Sequence, residues 1–251
     1  MKLQPARRVA SLRRTLIREI FESAPADALN LGLGQPDLEA PGWMREALSH
    51  AALEGASGYG PTAGFADLRA AIAGEYPDLD AAAESVVVTT GCQAATFLSI
   101  GCLADPEDEV LVPEPAFPGA ARAAQAWGAR TRVYPLRAER DFHLDPDEVL
   151  ASVGPRTRVV VVISPCNPTG TVEPADSLAS LVEGTRSRGV GLILDDTYRG
   201  LHWLDEQPAP SLRGDDLAHV VVCGGLSKSL ALTGWRLGWA VAPDRELARK
   251  L

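Results

Sequence analysis

Little in this sequence points to a disulfide framework, a metal or a membrane. Only four cysteines occur in 251 residues, at positions 92, 102, 166 and 223, and no two form a C-x-x-C pair. That scatter fits reduced thiols in a cytosolic protein and excludes a fold stapled by disulfides. The four histidines, at 50, 143, 202 and 219, are equally dispersed. None stands at metal-ligand spacing from another His or a Cys, so no metal is expected. Basic residues are the minority: 24 Lys and Arg against 33 Asp and Glu leave a formal charge of −9. That balance argues against nucleic acid or an anionic membrane as partner. No apolar run approaches the ~20 residues of a membrane span. The basic N-terminus lacks the apolar stretch of a signal peptide, because Arg13, Arg14, Arg18 and Glu19 interrupt it. The expected location is the cytoplasm. Internal repeats and low-complexity tracts are missing as well.

What is present is an ordinary globular composition, 46% hydrophobic and 23% charged, able to bury a full core. Residues 7–23 set Val9, Leu12, Leu16, Ile17, Ile20 and Phe21 on one face, which predicts an amphipathic helix. A Gly- and Pro-rich loop follows at 31–42. Beyond it, seven apolar, β-branched runs lie at 86–89, 110–113, 131–135, 158–163, 191–195, 219–223 and 237–242, with helical patterns at 93–103, 118–128 and 174–188. Strands alternating with helices imply βαβ crossovers and a buried sheet. The expected fold class is α/β: a mainly parallel, seven-stranded sheet with helices on both faces.

Several segments carry chemistry. Gly224-Gly-Leu-Ser-Lys-Ser229 follows a strand, but it is no P-loop, because Ser227 rather than Gly precedes Lys228. It is no nucleophile elbow either, since Ser229 stands where Gly is required. The longer stretch S-K-S-L-A-L-T-G-W-R (227–236) pairs Lys228 with Arg236. Ser164-Pro-Cys-Asn-Pro-Thr-Gly170 and Leu194-Asp-Asp-Thr-Tyr198 each follow an apolar strand. Taken alone, N-P-T-G is simply good turn chemistry, whereas a carboxylate at the carboxyl end of a buried strand is where α/β folds place ligand groups. Thr89-Thr-Gly-Cys-Gln93 opens an Ala-rich helix, and a helix N-terminus suits an anion. Leu33-Gly-Gln-Pro-Asp37 contains G-x-G, but Asp37 replaces the third Gly of a dinucleotide fingerprint.

In this order, spread over residues 30–243, these segments resemble those of class I/II aminotransferases, enzymes of the pyridoxal 5′-phosphate (PLP) fold type I, similar to aspartate aminotransferase. The resemblance implies that Lys228 carries PLP as an imine and then serves as general base, that Arg236, Gly91, Cys92 and Gln93 receive its phosphate end, and that Ser227 also binds the cofactor. It implies that Asp195 pairs with the pyridine nitrogen, and that Asn167 and Tyr198 bond the phenolic oxygen. Asp195, Tyr198 and Lys228 are thus the expected catalytic set. Phe117, in P-A-F-P-G, matches a ring that stacks on the pyridine. Tyr59, in G-Y-G-P-T-A-G, matches a tyrosine that reaches the phosphate of the neighbouring subunit of a homodimer. Gly34 and Asn167 would border the substrate. The expected reaction moves an amino group between an L-amino acid and a 2-oxo acid; lyase or synthase chemistry on the same scaffold, or a non-catalytic PLP-binding module, are the alternatives. Two departures stand out. Gly225 occupies a position where many members have a phosphate-binding Ser, and the Arg that grips the substrate α-carboxylate is expected beyond Leu251. The implied organisation is an N-terminal helix and loop at 1–45, part of a small domain whose C-terminal part is absent, followed by a PLP-binding domain at 46–251.

Overall fold

A computed structural model describes residues 3–10, 12–55, 58–201, 212 and 216–251; His202 lies outside them. In chain order the elements are α1 (Arg7–Ala10), α2 (Leu16–Ser23), α3 (Gly42–Leu53), α4 (Ala66–Gly74), β1 (Val86–Thr89), α5 (Cys92–Leu103), β2 (Glu109–Glu114), α6 (Gly119–Trp127), β3 (Arg130–Pro135), α7 (Pro146–Ala151), β4 (Thr157–Ile163), α8 (Ala175–Arg186), β5 (Gly191–Asp195), β6 (Val220–Gly225), β7 (Gly238–Val241) and α9 (Arg245–Ala248). Among these residues no helix is long and apolar enough to cross a membrane.

The seven strands form one sheet in the order β1-β7-β6-β5-β4-β2-β3. Strands β2 to β6 run parallel to their neighbours in this group. β7 alone runs against both strands beside it, β1 and β6. The sheet is therefore mainly parallel, with one reversed strand near an edge, as large α/β sheets often have. The strands are short Val- and Ile-rich runs because both faces are covered, and alternate residues serve opposite faces. Val160, Val162, Leu192, Leu194, Val220 and Val222 pack with Leu178 and Leu181 of α8 and with Ile72 of α4. Val159, Val161, Ile193, Val221 and Cys223 pack with Ala95 and Ile100 of α5 and with Ala120 and Ala124 of α6. Each fully buried Val, Leu or Ile contributes roughly 1.5–3 kcal/mol, so these two layers dominate the stability.

The N-terminal amphipathic pattern does not give one helix. It divides into α1 and α2, and the Thr15 hydroxyl caps α2 by accepting from the Arg18 N–H at 3.3 Å. The physical reason lies in the surroundings: Leu16, Ile17, Ile20 and Phe21 all remain exposed. Without a surface to bury its apolar face, a helix of this length gains too little to offset nucleation, and a local cap can divide it.

Candidate active site

The carboxyl ends of β1, β4, β5 and β6 meet the N-terminal end of β7 at one side of the sheet, because Thr89 and Gly225 both pair with Gly238. This is where open α/β sheets bind ligands. The described geometry gathers Lys228, Asn167, Tyr198, Asp195, Gly91, Cys92, Arg236 and Gly34 in this region.

The anion end comes from α5. Gly91 precedes it at φ +98, a conformation that favours glycine, and no side chain caps the helix. The first N–H groups, those of Cys92 and Gln93, therefore point outward toward any bound anion. Arg236 stands over this turn, its Nη2 donating to the Thr90 carbonyl at 3.1 Å and its Nη1 to the Thr233 carbonyl at 2.8 Å. A Cβ at Gly91 would collide with the Arg236 guanidinium, and one at Gly238 would collide with the Gly91–Cys92 peptide. At Gly225 a Cβ would come 2.9 Å from the Leu237 carbonyl and 3.5 Å from the Cys92 nitrogen. Gly225 is thus a fitted position in this chain: a serine there would need the β6–β7 turn to open. Ser227 sits half-buried in the turn between Gly225 and Lys228.

The lysine end lies across the site. Lys228 Nζ donates to the Gly34 carbonyl and stands 5.9 Å from the centre of the Tyr198 ring. Asn167 Nδ2 donates to the Tyr198 hydroxyl at 3.2 Å. A Cβ placed on Gly34 would lie 3.7 Å from that hydroxyl and 3.9 Å from Lys228 Nζ, so the 31–42 loop closes over both groups. Burial first, and then the Arg236 charge, hold the Lys228 amine below the usual lysine range. Burial raises the Tyr198 phenol, and the bond from Asn167 opposes this.

Asp195 continues the face of β5 that packs on α5. Its Oδ1 accepts from the Thr197 N–H at 3.1 Å and from the Cys92 thiol at 3.3 Å. Burial pushes the carboxyl up, while Thr197, through backbone and hydroxyl, and the Cys92 thiol favour the charged form. Asp196 turns to the other face. There Tyr76 donates to Asp196 Oδ1 at 3.2 Å, Trp239 Nε1 donates to the Tyr76 hydroxyl at 2.9 Å, and Arg199 approaches Asp196 Oδ2 at 3.5 Å. Burial raises Asp196 to about 7, against the pull of Arg199.

Cys92, Phe117 and Tyr59, three further expected residues, have the following surroundings. The Cys92 side chain turns to Asp195 and leaves only its backbone N–H for an anion. Phe117 is bonded through its N–H to the Asn167 carbonyl at 2.8 Å, and it borders an apolar cavity of about 300 Å³ that neither Lys228 nor Asp195 lines. Tyr59 is fully exposed, so a single chain does not bring it into its own site. Sequence reasoning missed the Thr197 N–H and the Tyr76–Trp239 pair. No local sequence signal could have found them: Trp239, Tyr76 and Asp196 converge on Gly224, at 2.6, 2.7 and 2.9 Å from a Cβ placed there, only once the chain is folded.

Known proteins share this chain's sequence and fold. The chain is 33% identical over 245 residues to an aspartate aminotransferase of Pyrococcus horikoshii, covering 96% of this chain and 62% of that protein. It is 34% identical over 220 residues to the arginine–pyruvate transaminase AruH of Pseudomonas aeruginosa, covering 86% and 56%. The solved structure of Thermus thermophilus aspartate aminotransferase with maleate superposes with a TM-score of 0.91 at 29% identity, covering 99% of this chain and 67% of that one. N-succinyldiaminopimelate aminotransferase from Mycobacterium tuberculosis does so with a TM-score of 0.91 at 31% identity, covering 98% and 66%. The chain thus spans about three-fifths of the length of these curated relatives. Residues 26–251 match the family profile described as aminotransferase class I and II, and the chain belongs to that family.

Proposed function

We propose that this chain is the cofactor-holding part of a PLP-dependent aminotransferase that moves an amino group between an amino acid and a 2-oxo acid. One observation carries the reading: Lys228, with its amine held below the usual lysine range, faces the Tyr198–Asn167 pair, while Asp195 lies buried beside the α5 N-terminus. The residues fit PLP at each end. The uncapped N–H groups of Cys92 and Gln93, with the Gly91, Gly225 and Gly238 cradle and the Arg236 fork, suit a phosphate. When bound, PLP supplies the electron sink that lets the substrate Cα–H bond break.

The side chains divide the remaining tasks. Asp195 keeps a proton on the ring nitrogen, since a neighbouring carboxylate favours the charged form of a base. Tyr198 and Asn167 hold the phenolic oxygen. Lys228 anchors the cofactor through its amine and, once displaced, moves a proton at the substrate Cα; a depressed pKa suits it to that task at neutral pH. The exposure of Tyr59 supports a homodimer in which it completes the partner's site. Four free cysteines fit a reducing cytoplasm. We assign residues 1–45 to a small domain and 46–251 to the PLP domain. The test is a half-reaction in a chain long enough to carry the carboxylate-gripping Arg expected beyond Leu251: loaded with PLP, it should lose its visible band on adding an amino acid and regain it on adding a 2-oxo acid. A band that never responds to amino acids would contradict transamination.

A further inference from the structure

Cys92 is the first residue of α5, and its two ends face different partners. Its N–H belongs to the uncapped helix N-terminus, while its thiol, buried at 8% exposure, reaches Asp195 Oδ1 at 3.3 Å. The thiol is a donor here and not a thiolate, because burial and the adjacent Asp195 charge both push its pKa well above the usual range. Its other neighbours supply no competing charge. Thr96 Oγ1 lies 4.0 Å away, and Cys223 behind it is a thiol bonded with Ser99 at 3.6 Å and pushed up to about 12. The adjacent carboxylate of Asp196 turns to the opposite face. Among the described residues, the Cys92 thiol and the Thr197 N–H, at 3.1 Å, both reach the Asp195 carboxylate at Oδ1, and the Thr197 hydroxyl also favours its charged form.

We infer that Cys92 is a positioning residue for Asp195, its thiol holding Oδ1 so that Oδ2 is presented to the cofactor's ring nitrogen. The inference rests on the function proposed above and adds to it a specific role for the thiol. It also gives one residue a hand in both ends of the ligand: the backbone N–H meets the phosphate, and the side chain sets the carboxylate. A carboxylate held by two donors on one oxygen cannot rotate freely, so its second oxygen keeps a fixed direction. Loss of the thiol would leave Asp195 with the Thr197 contacts alone and free a rotation that the site needs suppressed.

The experiment compares Cys92→Ala with Cys92→Ser. Serine retains a donor at this position, whereas alanine does not. In PLP titrations followed by visible absorbance, Cys92→Ala should raise the cofactor dissociation constant about threefold to tenfold, and Cys92→Ser should stay within about twofold of the parent. In the cofactor-free proteins, carbon NMR of the Asp195 carboxyl should show its pKa rising in Cys92→Ala and unmoved in Cys92→Ser. A merely packed thiol predicts otherwise: both variants would shrink the side chain and behave alike, or the buried serine hydroxyl would do more harm than alanine. Either pattern overturns the inference. If the parent chain fails to bind PLP, the proposed function falls, and the cofactor-free Asp195 titration still decides whether Cys92 holds the carboxylate.

Discussion

Asp195 and Asp196 are both buried carboxylates at the carboxyl end of β5, at 7% and 1% exposure, yet they face opposite sides of the sheet. Asp195 looks toward α5, where its partners are a backbone N–H, a hydroxyl and a thiol. Asp196 looks toward Tyr76, Trp239 and Arg199, with the Arg199 guanidinium also lying 4.7 Å from the centre of the Tyr76 ring. The first environment contains neutral donors and no cation among the bonded partners described. The second is a closed polar cluster whose cation is already supplied. Strand parity alone separates a carboxylate available to a ligand from one committed to the fold.

The largest expected difference between the two follows directly. Asp195→Asn removes a charge-assisted contact typically worth about 1.5–3 kcal/mol and should raise the PLP dissociation constant about 10- to 100-fold. Asp196→Asn keeps an acceptor for Tyr76 and should change it less than about threefold. Equal losses, measured by cofactor titration, would break the comparison. Gly224→Ala probes the Asp196 side, since the new Cβ would press on Trp239, Tyr76 and Asp196 at 2.6–2.9 Å. We expect a loss of about 1–3 kcal/mol in denaturant unfolding with cofactor affinity far less affected. A smaller, pH-dependent difference sharpens the contrast. Burial raises Asp196 to about 7 in the folded chain. Between about pH 4 and that value the folded state binds a proton that the unfolded state has released. This group therefore lowers stability as pH rises through the window. Asp196→Asn should gain on the parent as pH goes from 4 to 7, and a gap that stays flat in melting experiments would contradict the assignment.

Much of this was legible in the residues. The seven strands lie within one or two residues of the apolar runs because each is buried on both faces and therefore continuously apolar. Lys228, Asn167 and Tyr198 follow strand ends that come together in space, and it was the resemblance to class I/II aminotransferases that singled them out. The reversal of β7 was not legible, because Gly238–Val241 is as apolar as its parallel neighbours and direction depends on the connection. Nor was the division of the 7–23 pattern, which depends on whether anything covers Leu16 and Phe21. The turn of the Cys92 thiol toward Asp195 depends on packing between α5 and β5, elements separated by 87 residues between Leu103 and Gly191 only in sequence, and local pattern carries no trace of it.

The central claim, that Lys228 holds the cofactor, has a direct test, because the chain contains only three lysines, at 2, 228 and 250. Protein incubated with PLP, reduced with borohydride and digested should carry its label on the peptide containing Lys228, and Lys228→Ala should carry none at that site. Label on Lys2 or Lys250 in the parent chain, with Lys228 unmodified, would contradict the account.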